Sequence, residues 1–262
     1  MVKLIKDLAQ ALYLNIKYSL GIRSQLLHAA LLRNNIRILQ QTMKKLGYKY
    51  RLKIGVNDLE VEVDGQWFVP LSNKFFKLSD GNQTSLFPAV ANPKVIVDGG
   101  AFIGEYTSYF AKKYPGATVY AIEPSPTNYG YLQKNLKMNH LTNVKTFNVA
   151  LSNKIGEADF TDDASSSKVG QGNTKVQTIT LKKFVADNNI TTIDFLKLDI
   201  EGYEPLLIDD LDELLSQGGI KHLVVEMGRV APLPEYDALV KMFAKHGFKT
   251  EKLQGSNYWV SK

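Results

Sequence analysis

The spacing of apolar residues changes character twice along the chain. Over residues 1–46 it is helical: Ile5, Leu8, Ala9, Leu12 and Ile16 share one stripe and, after a break near Gly21, Leu32, Ile36, Leu39, Met43 and Leu46 share another. Two amphipathic helices are predicted, with Arg33, Arg37 and Lys44 on a strip beside the second stripe. From Tyr48 to Pro70 the period falls to two. Tyr48, Tyr50, Leu52 and Ile54 alternate with Lys49, Arg51 and Lys53, and Leu59, Val61 and Val63 alternate with Glu60 and Glu62 ahead of Asp64-Gly65 and QWFV. That pattern predicts a small antiparallel sheet. Residues 71–93 are punctuated by Ser, Asn, Gly and Pro and read as a connecting loop.

Beyond Pro93 short, nearly unbroken apolar runs alternate with helical segments: VIVD (95–98), TVYAIE (118–123), VKTFNV (144–149), DFLKLD (194–199) and HLVVEM (222–227). Strands without a polar face are buried on both sides, which in an alternating β–α order implies a parallel sheet covered by helices. FKTEKL and NYWVSK supply two further strands, the last returning antiparallel, for a mostly parallel sheet of seven. Ser125-Pro126 marks a helix start, as an N-cap followed by proline at the first helical position. The expected organisation is thus a basic helical segment over 1–46, small antiparallel strands and a loop over 47–93, and a Rossmann-like α/β domain over 94–262.

Composition narrows the chemistry. With no Cys in 262 residues, disulfides, thiolate metal sites and thiol nucleophiles are excluded, and His28, His140, His222 and His246 are too scattered for a paired zinc motif. Lys3 and Lys6 open the chain as they would a signal peptide, but Asp7, Gln10, Asn15 and Lys17 interrupt any apolar core, and no window reaches the roughly 18 apolar residues of a membrane span. The expectation is a cytoplasmic protein. Its charge is uneven: residues 1–54 hold 11 of the 32 Lys and Arg but only Asp7 of the 26 acids, leaving 21 against 25 in the remainder. The basic segment suits peripheral contact with an anionic membrane through residues 1–46, or a solvated face on packed helices.

Asp98-Gly99-Gly100-Ala101-Phe102-Ile103-Gly104 follows the first parallel strand and precedes a helix beginning near Glu105. Small residues here let a ligand approach the backbone at the carboxyl edge of the sheet. Glu123, closing the next strand, is placed to hold both ribose hydroxyls of an adenosine. A dinucleotide would set an anionic pyrophosphate against Asp98, whereas S-adenosylmethionine has no phosphate and carries a cationic sulfur and an ammonium. Asp98 therefore favours the sulfonium ligand.

The fourth strand and its exit read Phe195-Leu196-Lys197-Leu198-Asp199-Ile200-Glu201-Gly202-Tyr203-Glu204. Lys197 and Asp199 share a face, and an ammonium in so apolar a run needs a partner, for which Asp199, Glu201 and Glu226 are the expected candidates. Clustered carboxylates raise one another's pKa toward values useful to a base, with Glu201 the first choice and Asp199 the second. No metal site is assigned, although hard-cation chemistry leaves room for Mg²⁺ on Asp199 and Glu226.

VIVDGGAFIGEYT (95–107), YAIEPSP (120–126), NVAL (148–151) and above all FLKLDIEGYE (195–204) resemble the FkbM-type methyltransferases, of the class I S-adenosylmethionine-dependent fold, over residues 75–254. The resemblance implies that Asp98, Gly99, Gly100, Ala101 and Gly104 surround the methionine part of the donor. It puts Glu123 and Pro124 at the ribose, Ala150 near adenine, and Asp199 facing the sulfonium and the acceptor. Lys197 and Glu226 complete the expected catalytic group. Two positions depart from the family pattern: Phe102 stands where Asn is common, and Lys182 where an Asp is common. The acceptor implied is a hydroxyl on a sugar, glycolipid or other small natural product. A peptide amine, or a fold that binds without catalysing, is the alternative. Nucleic acid is disfavoured, because Asp199-Ile200-Glu201-Gly202 is not the Asp/Asn-Pro-Pro-aromatic motif of enzymes that methylate base amino groups.

Overall fold

The computed structural model describes residues 51–54, 59–63, 66–68, 87–161, 168–169, 174–227, 233–253 and 255–262, with Arg37, Gln41 and Gly172. Apart from Arg37 and Gln41, the two helices expected over 1–46 lie outside the described residues, as does most of the loop over 71–93. The chain divides into two compact units, Met1–Gln83 with Lys137–Asn139, and Thr84–Leu136 with His140–Lys262. In the first, β1 (Arg51–Ile54), β2 (Leu59–Val63) and β3 (Gln66–Phe68) form an antiparallel sheet. Its register sets Leu52 opposite Val61 and Val61 opposite Phe68, as the two-residue alternation requires.

The second unit opens with β4 (Val95–Gly99), α1 (Glu105–Lys113), β5 (Thr118–Ile122), α2 (Pro126–Met138) and β6 (Val144–Phe147). Four short strands follow: β7 (Ala150–Leu151), β8 (Gly156–Thr161), β9 (Lys168–Val169) and β10 (Thr174–Ile179). The alternation then resumes with α3 (Leu181–Asp187), β11 (Phe195–Leu198), a 3-10 turn (Glu204–Leu207), α4 (Ile208–Ser216), β12 (His222–Glu226), α5 (Leu233–Lys245), β13 (Lys249–Lys252) and β14 (Asn257–Ser261). The main sheet runs β13-β14-β12-β11-β4-β5-β6, and β14 is antiparallel to both of its neighbours. This is the expected seven-stranded, Rossmann-like order. The chain steps outward from β4 through β5 and β6, then returns to lay β11 on the other side of β4, so the strand order reverses between β4 and β11. A crevice at the carboxyl ends of those two strands is where such sheets take ligands.

Period two sorts the core into layers. Ile96, Phe195, Val224 and Trp259 pack with Phe110 and Ala111 of α1 on one side. Val97, Leu196, Leu198, Leu223 and Val225 pack on the other with Leu181 and Phe184 of α3, Leu211, Leu214 and Leu215 of α4, and Leu239 and Phe243 of α5. On the first side the Phe195 ring meets Phe110 edge-on at 5.0 Å and stacks on Trp259 at 5.9 Å. Ser125 caps α2 as its sequence requires, its Oγ accepting the Asn128 N–H at 3.0 Å.

The sheet β7-β10-β8-β9 was not anticipated. Its buried core is Ala150, Phe160 and Val176, while Lys175 and Gln177 of β10 are exposed, so its strands carry too few apolar residues to stand out.

Candidate active site

The first layer of the sheet ends at its carboxyl edge in charge. Register pairs Lys197 of β11 with Asp98 of β4, and both side chains emerge where Ile96, Phe195 and Val224 give way to polar residues. Lys197 Nζ lies 3.1 Å from Asp98 Oδ1 and 3.8 Å from Asp199 Oδ2, and it donates to the Gly100 carbonyl at 3.2 Å. It also sits 5.1 Å from the centroid of the Tyr106 ring, within cation–π range. Thr107 Oγ1 donates to the other oxygen of Asp98 at 2.6 Å. Lys197 and Asp98 are 1% and 0% exposed, so neither charge has recourse to water. Burial works against the ammonium, but Asp98 and then Asp199 and Tyr106 outweigh it and hold the Lys197 pKa above the ordinary lysine value. Of the partners expected for Lys197, Asp199 is in place, but Asp98, which was not among them, is the nearer. Asp98 is the near partner because its strand is the neighbour in direct register, and Asp199 is second.

The glycine-rich turn is built by three left-handed residues, Gly100 (φ 77°), Phe102 (φ 53°) and Gly104 (φ 91°). At Gly100 the reason is the chain itself, because a Cβ there would run into the Asp199 carbonyl oxygen. The small residue lets the exits of β4 and β11 touch, a tighter constraint than room for a ligand. At Gly104 a Cβ would come within 2.6 Å of Leu132 of α2. Asn135 of α2 fastens the same turn by donating to the Ile103 carbonyl at 2.8 Å. Gly99 and Ala101 are enclosed by the same packing, Ala101 at 4% exposure.

Glu123 closes β5 and is buried. Its carboxylate accepts the Phe102 N–H at 2.9 Å, the Ser125 N–H at 3.0 Å and the Asn128 side-chain amide at 3.3 Å. Burial pushes it up to about 7, against the lowering effect of those donors. Asn148 donates to the Glu123 and Pro124 carbonyls at 2.8 and 2.9 Å, tying the exit of β6 to this corner. The Ala150 side chain packs with Phe160 and Val176 inside the small sheet, so only its backbone remains to meet a ligand.

Glu226 ends β12, where its Oε1 accepts from Ser256 Oγ at 2.8 Å. Among the described residues no group of three or more His, Asp or Glu is arranged to hold a metal ion. Two acids escaped the sequence reading. Glu105, first residue of α1, has a buried Oε1 without a hydrogen-bond partner among the described residues, and burial pushes it up to about 8, with Lys197 lowering and Asp98 raising it. Glu204 is fully buried under the exit of β11. Thr107, Tyr106 and Glu105 lie on the first turn of α1, and only the strand-to-helix geometry could have brought them to Asp98.

The edge suits a cationic nucleoside donor. Asp98, Asp199, Glu201 and Glu226 stand at this edge against the single ammonium of Lys197, an acidic excess that would oppose a pyrophosphate and attract a sulfonium and an ammonium. Comparison with known proteins points the same way. The sequence matches the methyltransferase FkbM domain over residues 98–250. The methyltransferase sdnD of Sordaria araneosa is 28% identical over 192 residues, spanning 58% of this chain and 73% of that protein. Methyltransferase 1 of Beauveria bassiana is 26% identical over 145 residues, spanning 45% of this chain and 58% of its own. Among solved structures, methyltransferase FkbM of Methylobacillus flagellatus KT shares the fold with a TM-score of 0.50 at 16% identity, over 68% of this chain and 46% of that one.

Proposed function

This chain belongs to the FkbM methyltransferase family and is an S-adenosylmethionine-dependent methyltransferase; on that premise we propose that it methylates a hydroxyl of a sugar, glycolipid or other small natural product, with Glu201 as the base. One observation carries the reading. Glu201 stands at φ 56°, a left-handed conformation costing a residue with a Cβ roughly 1–3 kcal/mol, at the exit of the strand that bears Lys197 and two residues beyond Asp199. A glycine would sit there more comfortably, so a glutamate in that place is consistent with a side chain kept for chemistry.

In this reading Asp98, Gly99, Gly100, Ala101 and Gly104 hold the methionine part of the donor, Glu123 and Pro124 the ribose, and the backbone at Ala150 the adenine. When bound, the donor supplies an electrophilic methyl group on a cationic sulfur. Lys197 stands between Asp98 and Asp199 and pairs with both, at 3.1 and 3.8 Å. Asp199 favours positive charge near the reacting centre, as a fixed group needing no reorganisation. Glu201 takes the proton of the acceptor hydroxyl as the hydroxyl oxygen bonds to the methyl carbon, for which the methyl–sulfur bond would break with its electron pair left on a neutral thioether, and Glu201 later gives that proton to solvent. Holding the reactants in line supplies much of the acceleration.

The test uses S-adenosylmethionine with a tritiated methyl group, offered with methyl glycosides and a glycolipid, and in parallel with lysine-containing peptides. Label on the hydroxyl acceptors, and a Glu201→Gln variant slowed by about 10²–10⁴-fold with donor affinity unchanged, is the expected result. Label confined to peptide amines would overturn the hydroxyl assignment. Full activity of Glu201→Gln would overturn the role of Glu201.

A further inference from the structure

The backbone around Glu201 is gripped from below by one buried carboxylate. Glu204 Oε1 accepts the Ile200 N–H at 2.7 Å and Oε2 accepts the Gly202 N–H at 3.1 Å, so amides on either side of residue 201 are each fastened to one oxygen of the same side chain. Oε2 also accepts the hydroxyl of Tyr236, a residue of α5, at 3.0 Å. Glu204 and Tyr236 are 0% and 3% exposed, so water cannot replace these bonds without opening the packing. The clamped segment contains two consecutive left-handed residues, Glu201 at 56° and Gly202 at 95°. Local preference favours only the glycine of that pair, since a glutamate is rarely left-handed. The conformation persists because its amides are held.

We infer that Glu204 and Tyr236 are positioning residues that set the Glu201 carboxylate for proton transfer, coupling the exit of β11 to helix α5. This rests on the reading of Glu201 as the base. A bidentate acceptor is well matched to the loop, because a carboxylate offers both amides an oxygen, whereas a glutamine of the same shape offers one oxygen and turns an NH₂ group toward the other N–H. Tyr236 then fixes the carboxylate from a different element, so that the loop inherits the rigidity of a packed helix.

The experiment has two arms. In the first, amide hydrogen exchange is followed at Ile200 and Gly202 in the intact protein. Tyr236→Phe, which keeps the ring and removes only the hydroxyl, is expected to speed exchange at both amides by about tenfold or more, without change at β11. Unchanged exchange would overturn the clamp, whatever the acceptor. In the second arm, Glu204→Gln and Tyr236→Phe are measured for turnover with tritiated S-adenosylmethionine and methyl glycosides, alone and combined with Glu201→Gln. The expected result is a fall in kcat of about 10- to 100-fold for Glu204→Gln with donor affinity unchanged, and no further fall when Glu201 is already glutamine. An equal fall in both backgrounds would show a general structural role and overturn the inference while leaving Glu201 as the base. A Glu201→Gln enzyme as active as the parent would instead remove the reading on which the second arm stands, with the exchange arm still deciding the clamp.

Discussion

Lys197 keeps its charge inside a sheet because four neighbours stabilise it together, Asp98 and Asp199 by ion pairs, Gly100 by its carbonyl and Tyr106 by its ring face. Such a buried pair contributes little net stability, yet removing half of it strands the other charge. Lys197→Met is therefore expected to cost about 3–5 kcal/mol in urea unfolding, while Lys197→Met with Asp98→Asn recovers most of that loss. A double variant no more stable than the single would refute the pairing. The buried acids carry a second expectation. Glu105, Glu123 and Glu204 all titrate above the ordinary glutamate value of 4.5, at about 8, 7 and 7. The folded state thus holds their protons more tightly than the unfolded chain. Their contribution is fully present below about pH 4.5 and is lost as pH climbs through 7 and 8. Unfolding free energy measured along a pH series should decline over that window, and Glu105→Gln should flatten its upper end. Stability rising through pH 7–8 would contradict this. Phe102 shows what one residue type can hide. Its backbone is left-handed at φ 53°, where Asn is at ease and a bulky ring is not, so the departure from the family pattern carries a backbone cost invisible until the turn is seen.

Legibility differed from element to element for a physical reason. The parallel strands were plain because burial on both faces demands unbroken apolar runs, and Asp98, Glu123, Lys197 and Asp199 were found because they interrupt or end such runs. Glu204 was spelled out in the same segment, but its role depends on which amides fold back over it, and that is decided by the left-handed pair at 201–202. The sheet β7-β10-β8-β9 went unseen because its core is small and exposed polar residues such as Glu157, Asp159, Lys175 and Gln177 interrupt its strands. Helix α3 gives a milder case. Lys182 occupies a first-turn position where the helix dipole favours an acid, and the acid comes from elsewhere: Asp210 of α4 accepts the Lys182 N–H at 2.7 Å, while Lys182 Nζ pairs with Glu213 at 2.6 Å. The carboxylate expected from the family pattern is present in space and absent from its usual place in the chain.

Taken as a whole, the molecule is electrically lopsided, with 11 cations against one acid in residues 1–54 and 21 against 25 thereafter. Among the described residues no helix is long and apolar enough to cross a membrane. Coulomb attraction alone would draw the basic portion to an anionic bilayer. Flotation with phosphatidylserine-containing vesicles is expected to carry the protein upward at low salt and to release it at high salt, with neutral vesicles leaving it behind. Flotation indifferent to lipid charge would reject that attraction. The meeting of Gly100 with the Asp199 carbonyl has a consequence of a different kind. The turn proposed to receive the donor and the strand exit proposed to present the base are in backbone contact, the Asp199 N–H donating to the Gly99 carbonyl at 3.1 Å. A shift of one is passed to the other through the main chain alone, so on the proposed reading capture of the first substrate would bear directly on readiness for the second.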